Sequence, residues 1–178
     1  MLIAAGLAGC GVQADQEAQP LPIGALETPT PSASPTPTVL EIPVFFVSGP
    51  LLEAVPEPVS DRSADGVIAA LAAGPPVDQE AQLRTLLLDP LTGAPMLTVV
   101  AATPSGQVTL QRTDAFLEMP ATDQVLLVGQ VVHSMAEVGL SRVVITDPTG
   151  APTNLALPDG RSVVGAVTAE DYATLLAP

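Results

Sequence analysis

Met96-Leu97-Thr98-Val99-Val100-Ala101-Ala102-Thr103-Pro104-Ser105-Gly106-Gln107-Val108-Thr109-Leu110-Gln111-Arg112-Thr113 is the stretch whose reading decides the fold. Two apolar and β-branched runs flank a Thr-Pro-Ser-Gly turn, which is the pattern of an antiparallel hairpin. Successive side chains alternate across a strand, so Val108 and Leu110 share one face and Thr109 and Gln111 the other. The sheet therefore has a covered side and a wetter side, and helices layered on the covered side complete it.

The flanking sequence supplies those helices and more strands. Downstream, a helix is expected over about Ala121 to Val138, entered through Pro120 and capped by Thr122 or a neighbour. At 100° per residue, Val125, Leu127, Val128, Val131, Val132, Met135 and Val138 form its apolar side, and Asp123, Gln130, Ser134 and Glu137 a wet one. Arg142 to Asp147 reads as a strand, Asn154 to Leu157 as a short extended piece before the Asp159-Gly160 turn, and Thr168 with Asp171 as the capping box of a last short helix.

Upstream, Ile42-Pro43-Val44-Phe45-Phe46-Val47 reads as a strand stopped by Ser48-Gly49-Pro50. Leu51 to Val59 is extended too, but Pro56 and Pro58 restrict it to an edge or a loop. Ser63 caps a helix over about Ala64 to Ala73, with the stripe Val67, Ile68, Leu71 and Ala72 and a Gly74-Pro75-Pro76 stop. Leu83 to Leu88 reads as a short strand. The expected fold class is α+β, a two-layer sandwich of a mixed or antiparallel sheet with two main helices on one face, preceded by a disordered tail.

That tail is compositional. From Gly11 to about Leu40 the chain turns to Gln, Ala, Pro, Thr and Ser, with Thr28-Pro29-Thr30-Pro31-Ser32-Ala33-Ser34-Pro35-Thr36-Pro37-Thr38 at its centre. Proline removes backbone donors and fixes φ, so residues 10–40 are expected to be a linker, and 41–178 the folded domain. Fully extended at ~3.1 Å per residue, such a linker reaches roughly 90 Å.

Charge and composition exclude several functions among the 178 residues. Nineteen acids face five bases, all arginine (Arg62, Arg84, Arg112, Arg142, Arg161), for a net charge of −14. A nucleic-acid binder needs a basic surface and an anionic-lipid binder a polybasic patch, so neither is expected. Ser-His-acid chemistry would rest on His133, the sole histidine, whose neighbour Ser134 lies 100° away around the helix; His133 reads as a boundary residue. One His and one Cys cannot complete a zinc site, no Gly-rich loop leads into a lysine, and no Asp-x-Asp-x-Asp-Gly calcium loop exists. The carboxylate pairs Glu170-Asp171 and Asp78-Glu80 are explained by capping and solubility. No catalytic, cofactor-binding or metal-binding residue is expected, and the chain is read as a non-enzyme.

The single cysteine stands at Cys10, after the apolar Leu2-Ile3-Ala4-Ala5-Gly6-Leu7-Ala8. Leu7-Ala8-Gly9-Cys10 resembles the bacterial lipobox, which implies diacylglycerol on the Cys10 sulfur and cleavage before it. Residues 1–9 are then expected to be a shortened lipoprotein signal peptide, lacking the usual basic n-region because no Arg precedes Arg62. The other reading is an incidental apolar end with a free thiol.

Taken in order, the landmarks resemble the GerMN domain of bacterial spore germination and sporulation proteins. They are Val44-Phe45-Phe46-Val47, Val67-Ile68-Ala69-Ala70-Leu71-Ala72-Ala73-Gly74-Pro75, Gln107-Val108-Thr109-Leu110 leading into Asp114-Ala115-Phe116-Leu117, Gln130-Val131-Val132, Val143-Val144-Ile145-Thr146-Asp147 and Thr168-Ala169-Glu170-Asp171-Tyr172. The resemblance covers nearly all of Glu41 to Pro178. It implies a fold akin to ring-building motifs and a non-catalytic role in scaffolding or protein interaction, either in sporulation and envelope assembly or as an accessory to a sensor kinase. The expected place is the extracytoplasmic face of the cell membrane, held by the lipid, with an envelope protein as partner. A small-molecule or glycan-binding module is the alternative.

The anchor is directly testable. Cells given a labelled palmitate analogue should incorporate it into the chain and lose it with Cys10→Ser, which should also move the protein from the membrane to the soluble fraction; label retained by the variant would rule out Cys10.

Overall fold

A computed structural model describes residues 40–178. Cys10, the expected signal peptide and the Pro/Thr run lie outside the described residues. The fold is α+β, as expected from the alternation of hairpin and helices.

The described residues open with two long antiparallel strands, β1 (Leu40–Ser48) and β2 (Leu51–Val59), which form a two-stranded ribbon. Leu51 to Val59 is an edge strand, one of the two placements its prolines allowed, and the register explains how it keeps its ladder. Pro43 stands opposite Pro56, and Glu41 opposite Pro58. Phe45 and Val47 belong to the same row of β1 as Pro43, and their N–H groups point away from β2, to Ser134 Oγ and the Arg84 carbonyl. Three prolines thus occupy positions whose N–H would leave the ribbon, so none removes a ladder bond.

Helix α1 (Ala64–Ala73) follows. Its cap is built as the sequence suggests: Ser63 Oγ accepts from the Gly66 N–H at 3.1 Å, and Asp61 Oδ1 accepts from the Ser63 N–H at 2.9 Å. Val67 and Leu71 are completely buried.

Leu83 to Leu88 is not a strand. It makes isolated bridges at Arg84 to Val47 and at Leu88 to Pro95, because it crosses the ribbon edge instead of running along it. The hairpin strands are β3 (Leu97–Ala102) and β4 (Gln107–Arg112), with a bulge between Val99 and Ala101. A helical turn α2 (Asp114–Glu118), absent from the sequence reading, buries Phe116. Helix α3 (Ala121–Ala136) leads to β5 (Arg142–Thr146), which pairs parallel to β4. Strands β6 (Asn154–Ala156) and β7 (Ser162–Val164) form a separate small hairpin. Finally β8 (Ala166–Val167) closes a four-stranded mixed sheet in the order β3-β4-β5-β8.

One face of that sheet is the core. Leu97, Val108, Leu110, Val143, Ile145 and Val167 are fully buried. They share a cluster with Val67 and Leu71 of α1 and with Leu127, Val131 and Met135 of α3. Thr98 on the other face is exposed, and Thr109, Gln111 and Val144 are half-buried. Both helices also touch the ribbon.

Two expectations for the long helix are corrected. Its N-cap is Pro120, whose carbonyl accepts from the N–H groups of Asp123 and Gln124, and Thr122 does not cap it. More important, every residue from Leu126 to Met135 is buried, including Gln130 and Ser134 from the side expected to be wet. The ribbon and the terminal 3-10 helix, Ala169–Leu175, both contact α3, which takes that side out of solvent. The last helix is therefore 3-10 in form, with the Asp171 carboxylate accepting from the Thr168 N–H and hydroxyl as the sequence suggested.

The first turn of α1 sits hard against the preceding loop. A Cβ on Gly66 would lie 2.6 Å from the Asp61 carbonyl oxygen, a backbone atom that cannot swing aside. Alanine gains up to ~1 kcal/mol of helix propensity over glycine, whereas overpacking costs ~1–3 kcal/mol. Gly66→Ala should therefore lower the thermal midpoint; a rise would show that the loop yields freely.

Candidate functional site

The chemistry-bearing side chains of α3 come first, since they include the histidine. Ser134 Oγ accepts from the Phe45 N–H at 2.9 Å and donates to the Gln130 carbonyl at 2.8 Å. Gln130 Oε1 accepts from the Leu86 N–H at 3.1 Å, while its buried Nε2 has no partner among the described residues. His133 is buried, not at a boundary, and its Nε2 lies 3.3 Å from the Tyr172 carbonyl. A carbonyl only accepts, so Nε2 carries the hydrogen. The ring also packs against Phe45, centroids 5.1 Å apart.

Ser134 and His133 turn to different partners, as their 100° separation requires, and each is bonded to backbone. The row α3 presents to the ribbon is a set of acceptors and donors for strand and loop groups that have lost water. Burial pulls the His133 pKa below its ordinary value, with the Tyr172 carbonyl and Glu137 opposing that shift. Tyr172, fully buried with its hydroxyl donating to the Ala156 carbonyl at 3.0 Å, stays neutral because burial pushes its pKa upward.

The carboxylate pairs singled out in the sequence have separate surroundings. Asp171 serves the Thr168 cap, and Asp78 and Glu80 are exposed. Hydrogen bonds from Ser63, Thr92, Thr149 and Arg161 hold Asp61, Asp89, Asp147 and Asp159 below the usual carboxylate range. Glu57 goes the other way: burial raises its pKa, and its Oε1 is enclosed without a partner among the described residues. Among the described residues no group of three or more His, Cys, Asp or Glu is placed to hold a metal ion.

Among the described residues, two surface grooves combine apolar lining with segments that meet only in the fold. One, of about 450 Å³, lies where the 84–91 segment passes α2 and the start of α3. Leu86, Leu88, Met96 and Met119 give it an apolar floor, and Asp89, Glu118, Asp123 and Arg84 stand around it. Arg84 pairs with Asp123 at 3.6 Å across exposed side chains. The other, of about 350 Å³, is apolar throughout and is bounded by Val125, Leu126, Leu157, Pro158 and Leu175. Sequence reasoning identified neither, since each is lined by separate segments that meet only after folding.

No family model, curated protein or solved structure matches the chain.

Two outcomes test the α3 row. Ser134→Ala leaves the Phe45 N–H without its acceptor and should cost about 1–3 kcal/mol, read as a fall of several degrees in thermal midpoint. For His133, the folded state resists a proton that the unfolded chain accepts near pH ~6.5. Its contribution is therefore present above that pH and lost as pH falls through the lower folded value. His133→Gln should flatten the loss of stability between pH 7.5 and 5.5, a window above the ~4 at which carboxylates titrate; an unchanged slope would remove His133 as the source.

Proposed function

We propose that this chain is a non-catalytic lipoprotein of the bacterial envelope whose α+β domain binds another envelope protein. The observation that carries the reading is that each polar residue buried among the described residues makes at least one hydrogen bond within the fold, Gln130 through its Oε1. Gln130, His133, Ser134 and Thr146 bond to backbone, and Thr153 accepts from Arg112 Nε at 3.2 Å. A catalytic site needs groups held in place yet free to act on a substrate. What stays free here is apolar surface: Leu91 is 90% exposed, and Val100, Val164 and Leu117 are more than half exposed. An exposed apolar group that lines a groove, as Leu91 does, favours contact with another macromolecule.

The resemblance to GerMN domains supports the same reading. The order of strands and helices in residues 40–178 follows the landmarks on which it rests, and an α+β sandwich is what it implies. The lipid on Cys10 would hold the domain at the extracytoplasmic face of the membrane, with the Pro/Thr linker as spacer. A glycan or small-molecule module would call for polar side chains converging inside a cavity; in the groove at residues 84–91, Arg84 and Asp123 are paired with each other and Asp89 is held by its own loop.

Photocrosslinking in the native envelope tests this directly. A photoreactive residue placed in turn at Leu91, Val100, Val164 and Val77, all exposed, should trap a protein from at least one position. Failure of all four to trap protein, with the lipoprotein correctly located, would end the reading.

A further inference from the structure

The groove between residues 84–91 and α2 carries chemistry that selects its occupant. Its floor is made by Leu86, Leu88, Met96 and Met119, and its rim holds three carboxylates, Asp89, Glu118 and Asp123, against one guanidinium, Arg84. That guanidinium is already matched by Asp123. Asp89 and Glu118 are therefore the excess, on a chain whose net charge is −14.

The rim is also built in advance. Asp89 Oδ1 accepts from the Leu91 N–H at 2.9 Å, and its Oδ2 from the Thr92 hydroxyl at 2.6 Å. The backbone closes the same loop, Gly93 N–H to the Asp89 carbonyl at 2.8 Å and Asp89 N–H to the Ala94 carbonyl at 2.9 Å. This turn holds Leu91 in water at 90% exposure beside the groove it helps line. Folding gains nothing from that placement, since an exposed leucine buries no area. A partner that covers it gains both the apolar contact and a preformed loop that pays no ordering entropy.

From this charge imbalance and apolar floor, we propose that the groove between residues 84–91 and α2 is the docking site for a cationic, leucine-type segment of a partner protein. Apolar side chains of that segment fill the floor and cover Leu91, and its Lys or Arg groups meet Glu118 and Asp89. Acidic partners are rejected by the same rim, and a second copy of this chain is disfavoured by its own acidity. The proposal rests on the protein-binding reading above and specifies its surface.

The test uses the full-length chain and a fluorescent eight-residue probe of alternating leucine and lysine, with a leucine-glutamate probe as counterpart. Binding by anisotropy should be seen for the first probe alone. Leu91→Ser and Glu118→Lys, both at exposed positions, should each weaken it about tenfold, equivalent to about 1.4 kcal/mol. Glu41→Lys, exposed on β1 and outside the groove, should change it less than twofold. Equal weakening by Glu41→Lys would mean diffuse charge attraction and overturn the proposal, as would no effect of Leu91→Ser or no binding of the lysine probe. Thermal unfolding of each variant separates these results from misfolding. If the groove fails while envelope crosslinks persist at Val164 or Val100, the protein-binding reading survives without this site; if both fail, both are lost.

Discussion

Helix α3 must be buried on all sides along its middle, and the rest of the domain is arranged to meet that demand. A helix surrounded by protein loses water at its polar side chains, and each group left unpaired costs about 1–3 kcal/mol. The ribbon has the complementary difficulty. Its β1 edge directs the N–H groups of Phe45 and Val47 away from β2, and Ser134 and the Arg84 carbonyl accept them. Each element thus satisfies what the other would leave exposed, which is why a two-stranded ribbon, marginal alone, is stable here.

The same burial explains how a core almost without aromatics closes. Only three Phe and one Tyr are available, and Tyr172 and Phe46 are among the largest fully buried side chains. Tyr172 lies beside Gly129, where a Cβ would come within 2.7 Å of Leu175 Cδ1 and 3.1 Å of Leu52 Cδ1. The missing side chain lets the terminal 3-10 helix and the ribbon approach α3 together. Tightness at that point holds the final segment, whose Ala177 N–H reaches the Leu52 carbonyl at 3.0 Å.

Function follows from what remains after these demands are met. Gln130, His133, Ser134 and Thr146 inside the domain bond to backbone, and under the reading proposed above the surface would make the contacts with partners. The mixed character of the groove near Leu91, apolar below and acidic at its rim, is of the kind that gives orientation through charge and affinity through burial. Distance from the membrane would be set separately, by the linker between Cys10 and the first strand.

Period-two alternation and turn residues were enough, in the sequence alone, to determine the β3–β4 hairpin, and Ser63 with the 67, 68, 71 stripe determined α1. Those signals are local, because strand pleat and helix pitch depend on neighbours a few residues away. The role of Gln130, His133 and Ser134 was decided only by tertiary structure. On a helical wheel Gln130 and Ser134 mark a wet face and His133 its boundary, and nothing within α3 reveals that Phe45, Leu86 and Tyr172 arrive there with backbone groups needing partners. The prolines of β2 are alike in this respect, since their harmlessness depends on register against Pro43. The groove is legible still less: Arg84, Asp89, Glu118 and Asp123 are unremarkable acids and a base until the chain brings them around one floor.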